Sequence, residues 1–233
     1  MVQIALICAG TMYKLALVLS TTPSSNLFRA ALAGAFHSGY LDNFLICSGF
    51  FHERTNTKGA FYASNAFVTA ILPDPSEITV VGAYDPASAE FNDFFSKLSS
   101  GLKTVSGTPV WFNQRRSKKK YAHRWHAKIF IAREKNQHLF AVIGSSNLTR
   151  SAFDCVVSNN ETDVLIWDDT HARTNQLARS VLEAPLDPQA RGATGMPTVL
   201  ISNYDQDDSR NSDRTAMNDR LQQIWQDVIN ATI

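Results

Sequence analysis

His126 and Lys128 stand at the head of an apolar run, Ile129-Phe130-Ile131-Ala132, and a second apolar run, Leu139 to Ile143, ends in Gly144-Ser145-Ser146-Asn147. Both runs have the length and composition of strands. Side chains at i and i+2 share one face of a strand, so His126 and Lys128 point the same way, as Ser145 and Asn147 do if their strand continues that far. Pairing of the two runs through the connection Glu134 to His138 brings an imidazole, an ammonium, a hydroxyl and an amide to one end of a sheet. Such a group is an anion site that contains a nucleophile.

With an acidic residue, Glu161, opening a further strand, the set His126-x-Lys128, Gly144-Ser145-x-Asn147 and Glu161 resembles the catalytic signature of the phospholipase D superfamily. It is most similar to the short members that carry the motif once and include metal-independent nucleases. The longer form of the family motif places an aspartate five residues after the lysine; here that position is Arg133, followed by Glu134. The resemblance implies an α/β fold with a mixed, largely parallel β-sheet sandwiched between helices. Residues 1–169 would form the catalytic domain, and residues 170–233 a C-terminal helical extension packed on it.

A phosphodiester repels nucleophiles through its own negative charge, so an enzyme that uses no metal needs cations near the non-bridging oxygens. Lys128 supplies one, and Ser145 and Asn147 add neutral donors. A neutral histidine is a competent nucleophile near pH 7, because its ordinary pKa of about 6.5 leaves much of it unprotonated. The mechanism implied by the resemblance is covalent: His126 attacks phosphorus to give a phosphohistidine, a second imidazole protonates the departing oxygen, and that imidazole then activates water. Glu161 would accept a hydrogen bond from the other ring nitrogen of His126. No cofactor is implied, and no CxxC or Cys/His cluster suggests a zinc site.

The charge of the chain points to the substrate. Its formal net charge is only +1, yet nine of its 22 basic residues lie between Arg115 and Lys135 against the single acid Glu134. Arg115, Arg116, Lys118, Lys119, Lys120 and Arg124 are therefore candidate contacts to a phosphate backbone, since clustered Lys and Arg displace its counterions. The favoured partner is a nucleic acid, DNA ahead of RNA. A phospholipid-cleaving enzyme with the same chemistry is the first alternative; it would want a membrane-docking segment, and the terminal helix Arg220 to Ala231 carries too few cations to be one. A binding module that grips phosphate without turnover is the second. Cys8, Cys47 and Cys155 are odd in number and set among apolar neighbours, which suits free thiols in a reducing, cytoplasmic setting.

At 233 residues the chain can bury one substantial core. Strands are expected at Lys14 to Ser20, Asn43 to Gly49, Glu77 to Ala83, Pro109 to Phe112, the two motif runs, Thr162 to Trp167 and, as an edge, Val199 to Ser202. Helices are expected after a cap at Ser24, Ser25 or Asn26, weakly over Lys58 to Leu72, over Ala87 to Ser100, over Thr170 to Glu183, and over Arg220 to Ala231. The strand-helix alternation of the first half favours a parallel-rich sheet with helices on both faces.

The implied mechanism needs two imidazoles, and the chain has one HxK. His123 and His52 sit in no second copy of the motif. A symmetric homodimer with the catalytic centre on its two-fold axis supplies both from one sequence.

Overall fold

An eight-stranded sheet runs through the computed structural model, which describes residues 13–20, 27–51, 55–56, 59–60, 62–82, 89–118, 128–153, 160–183, 198–208 and 215–233. In chain order the elements are β1 (Tyr13–Ser20), α1 (Leu27–Phe36), β2 (Asn43–Cys47), the short pair β3 (Thr55–Asn56) and β4 (Gly59–Ala60), and β5 (Ile71–Leu72). They continue with β6 (Glu77–Gly82), α2 (Ala89–Gly101), β7 (Lys103–Thr104), β8 (Trp111–Arg116), β9 (Ile129–Glu134) and β10 (Gln137–Gly144). The last are α3 (Arg150–Phe153), β11 (Glu161–Asp168), α4 (Ala172–Leu182), β12 (Thr198–Tyr204) and α5 (Met217–Asn230). The order across the large sheet is β12-β1-β11-β10-β9-β2-β6-β8.

The sheet is mixed, as the sequence leads one to expect, but the parallel share is smaller. Parallel pairing is confined to β2–β6 and β6–β8, and the other five joins are antiparallel. Alternation of strand and helix describes only the first half of the chain. From Ile129 onward, β9 and β10 form a hairpin and β11 returns beside it, which forces antiparallel pairing.

One face of the sheet lies under α1, α2 and α4, whose buried Leu32, Phe36, Phe91, Phe94, Leu177 and Val181 pack on Phe44, Ile78, Phe130, Val142 and Leu165. Phe36 stacks on Phe44 with ring centroids 4.4 Å apart and leans on Phe67 at 4.8 Å, aromatic contacts worth ~1 kcal/mol each beyond the area they bury. The opposite face is covered by α5 through Leu221, Trp225 and Val228, against Leu45, Ile131, Ala141 and Ile166. Layers on both faces explain why β2, β6 and β10 read as continuous apolar runs rather than alternating ones.

Two expectations are revised. Residues 170–233 are not an added helical layer: β12 pairs with β1 along its whole length, and α4 and α5 lie on opposite faces of the sheet. The helix expected over Lys58 to Leu72 is replaced by β4, a single 3₁₀ turn at Ala63–Ala66 and β5. Ala63, Phe67 and Ala70 are buried at spacings that mimic a helical stripe, but tight turns closed by Phe67 N to Ser64 O and Ala70 N to Phe67 O bury them instead. The cap residues Ser24, Ser25 and Asn26 lie outside the described residues.

The helix α5 is fastened at its start to the β9–β10 hairpin. The Asn218 side-chain oxygen accepts the His138 backbone N–H at 3.0 Å, and the Arg133 guanidinium lies 4.4 Å from the Trp225 ring centre, a cation–π contact worth about 1 kcal/mol. The buried His138 imidazole packs edge-on against the same Trp225, and burial holds its pKa below the ordinary histidine value.

Candidate functional site

The chemistry-bearing residues of the sequence gather where β9 and β11 begin and where β1, β2 and β10 end. Gly144, the last residue of β10, faces Asp163 of β11, and its N–H donates to the Lys128 carbonyl at 3.1 Å. Lys128 thus lies beside the end of β10, immediately ahead of β9, with its side chain partly exposed. On the far side of β11, Glu161 faces Ser20, the final residue of β1. Ends of strands that share one edge are where an open sheet leaves room for a ligand.

The turn that follows β10 is tied on both sides. Ser145 N–H donates to the Thr162 carbonyl at 2.9 Å, and Thr162 N–H donates to Ser145 Oγ at 2.9 Å. Ser145 Oγ in turn donates to Glu161 Oε2 at 2.5 Å. The hydroxyl proton that the sequence reading offers to a phosphate is therefore used to orient Glu161. Ser146 turns inward: its N–H and its hydroxyl donate to the two oxygens of Asp163 at 3.2 and 2.6 Å. From the opposite side, just past β2, Ser48 Oγ lies 3.3 Å from Asn147 Oδ1 and accepts the Leu148 N–H at 3.2 Å. With its oxygen turned toward Ser48, the Asn147 amide has its NH₂ available as a donor.

Gly144 is required by this arrangement. A Cβ on it would sit 2.2 Å from Asp163 Oδ1 and 2.5 Å from the Thr162 carbonyl oxygen, closer than any side chain tolerates. The first letter of the GSSN turn is thus set by the close passage of β11.

Lys128, Ser145, Asn147 and Glu161 are brought to one sheet end, whereas His126, His123, His52, Lys119, Lys120 and Arg124 lie outside the described residues. Strand β9 starts at Ile129, directly after Lys128. Three other members of the basic run have partners within the chain. Strand β8 extends through Arg116 rather than stopping at Phe112. Arg115 donates to Thr232 Oγ1 at 2.8 Å and to the Ile229 and Thr232 carbonyls at 3.0 Å, while Lys118 Nζ reaches the Asn230 carbonyl at 2.5 Å. Both cations satisfy carbonyls at the C-terminal end of α5, where the helix dipole favours positive charge. Arg116 donates to Asn92 Oδ1 at 2.8 Å.

Arg115→Ala is accordingly expected to lower stability by ~2 kcal/mol, the scale of losing hydrogen bonds made by a charged donor, seen as a lower urea midpoint. The salt dependence of any nucleic-acid binding should stay that of the parent. A flatter salt dependence with an unchanged midpoint would return Arg115 to the phosphate-contacting surface.

At the position where the family motif has its aspartate, Arg133 lies under Trp225 and Glu134 pairs with Arg173 at 2.8 Å. The hairpin is braced from the residue just ahead of β2, since both carboxylate oxygens of Asp42 accept the Lys135 N–H at 3.0 Å. Sequence reasoning missed Asp163, Ser146 and Ser48. The signal was a carboxylate inside an otherwise apolar strand, two residues beyond Glu161 and so on the same face. Among the described residues no group of three His, Cys, Asp or Glu side chains is arranged to hold a metal ion, and no described helix is long and apolar enough to cross a membrane.

The described residues thus form a mixed sheet between helix layers, with a lysine, an asparagine and a glutamate at one strand-end edge. Among solved structures the chain is similar to NucT from Helicobacter pylori, at 13% identity over 75% of this chain and 98% of that one, with a TM-score of 0.38. It is also similar to yeast tyrosyl-DNA phosphodiesterase, at 14% identity over 65% of this chain and 32% of that one, TM-score 0.33. A third likeness is to phosphatidylserine synthase of Haemophilus influenzae Rd KW20, at 12% identity over 81% and 40% of the two chains, TM-score 0.40. No family model matches the sequence, and no curated protein does.

Proposed function

We propose that this chain is a phosphodiesterase of the phospholipase D type that cleaves nucleic-acid phosphodiester bonds without a metal, through a phosphohistidine on His126. The observation that supports this reading is the convergence of Lys128, Asn147 and Glu161 on one edge of the sheet, with Ser145 holding the Glu161 carboxylate and Ser48 Oγ 3.3 Å from the Asn147 oxygen.

The division of labour follows from the side chains. Lys128 is a point charge for a non-bridging oxygen, and the Asn147 NH₂ is a fixed neutral donor to another. Both matter most when charge builds up on the phosphoryl oxygens during displacement. Glu161 steadies the imidazolium that forms as His126 bonds to phosphorus and the P–O bond to the leaving group breaks. The leaving oxygen takes its proton from a second imidazole, which next removes a proton from the water that attacks the phosphohistidine and frees the enzyme. A second copy of the chain supplies that imidazole across a two-fold axis. Lys119, Lys120, Arg124 and the exposed part of Arg116 contact the polyanion.

The test is an assay of the purified protein in EDTA against DNA, RNA, a chromogenic phosphodiester and phospholipid vesicles. Cleavage of DNA at the same rate with and without EDTA is expected. A strict requirement for a divalent ion, or turnover confined to vesicles, overturns the proposal.

A further inference from the structure

We infer that Asp163 is a positioning residue of this site: its carboxylate holds the GSSN turn through Ser146 so that Asn147 and Glu161 meet the phosphate in fixed geometry. The inference rests on the phosphodiesterase reading and adds to it a residue that touches no substrate.

Asp163 is 3% exposed and Ser146 is 1% exposed. A carboxylate buried to that degree, at a small cavity it lines together with Leu27, Phe28 and Ala31 of α1 and Val181 of α4, is costly unless every oxygen is satisfied. Both oxygens are satisfied by one residue, Ser146, through its N–H and its hydroxyl. That residue lies between the two site residues of the turn, Ser145 and Asn147. Fixing both donors of Ser146 fixes the direction in which the chain leaves β10, and hence where Ser145 and Asn147 point. The space for the carboxylate exists because residue 144 is glycine. Asp163 also shares a strand face with Glu161, whose Oε2 is held by Ser145. One buried group thus sets the turn from which both a phosphate donor and the imidazole's partner are oriented.

The requirement is for hydrogen bonds rather than charge. Burial raises the Asp163 pKa, the Ser146 bonds lower it, and the Glu161 charge raises it, with a net upward shift. Asparagine keeps the arrangement: its oxygen accepts the Ser146 N–H, and its NH₂ donates to Ser146 Oγ. Alanine and leucine remove it.

The test compares Asp163→Asn, Asp163→Ala and Ser146→Ala, each scored per folded molecule by circular dichroism and thermal melting. Asp163→Ala should lower kcat roughly 100-fold, the scale of a displacement of about 1 Å in a reacting group, with KM changed by less than about three-fold because the basic segment still binds the substrate. Asp163→Asn should keep kcat within about three-fold of the parent, and Ser146→Ala should fall between them. A folded Asp163→Ala protein with parental kcat, or an Asp163→Asn protein as impaired as Asp163→Ala, overturns the inference. A second readout separates it from the function itself. Inorganic phosphate, titrated against the wild type and Lys128→Ala, reports the anion site whether or not any substrate turns over. Loss of phosphate affinity in Asp163→Ala with recovery in Asp163→Asn supports positioning even if the wild type proves inactive on phosphodiesters; equal affinity in all three counts against it.

Discussion

Replacing His126 by asparagine is expected to lower turnover of a nucleic-acid substrate by roughly 10⁴-fold or more, the range seen when a covalent nucleophile is removed. Fold and nucleic-acid affinity should stay near those of the parent, because in the proposed mechanism the basic segment binds the polyanion while the imidazole alone bonds to phosphorus. Lys128→Ala should cost less, roughly 10²–10³-fold, since it removes one stabilising charge and leaves the reaction path intact. The covalent step gives an independent readout. Acid-labile, alkali-stable phosphate should accumulate on the wild type during a rapid quench and be absent from His126→Asn. Turnover within a few-fold of the parent in His126→Asn would exclude this residue as nucleophile and redirect attention to His123 and His52.

How far the sequence discloses such a site depends on whether the partner of each residue is near it in the chain. The hairpin of β9 and β10 was legible because two apolar runs flank a short polar connection, and the structure pairs them, Ile143 with Ile129 and Ala141 with Ile131. The strands Asn43–Cys47 and Glu77–Gly82 were legible as unbroken apolar runs, since both of their faces are buried. What could not be read were contacts between distant segments. Nine cations counted along the sequence look alike, yet Arg115 and Lys118 satisfy carbonyls of α5 more than 110 residues later. Asp163 reads as a polar interruption of a strand until Ser146 is seen against it, and Ser48 as a strand end until Asn147 comes within 3.3 Å. The parallel share of the sheet was overestimated for the same reason. Local alternation of strand and helix says which elements exist, but pairing direction depends on which strands become neighbours.

Mixing the wild type with His126→Ala should leave about one quarter of the activity of an equal amount of wild-type dimer, the share of wild-type pairs under random two-fold pairing. The displacement needs one imidazole to attack phosphorus and another to protonate the leaving oxygen and then deprotonate water. With a single HxK per chain, the proposed two-fold axis beside the sheet end that carries Lys128, Asn147 and Glu161 would supply both from identical residues, and one composite site would serve two chains. A dimer with one His126→Ala chain has only one of the two imidazoles and should turn over very poorly, whichever role the remaining one takes. The experiment starts from equal amounts of the two proteins, dissociated and re-equilibrated, with pairing verified by native mass spectrometry on chains of distinguishable mass. Rates are then compared with a mock-treated wild type at equal total protein. If each chain holds a complete site, activity falls only to one half; if subunits exchange freely and activity still halves, the acid lies within the chain. A preparation shown to be monomeric at assay concentration that keeps full turnover per chain would sink the shared-site arrangement outright.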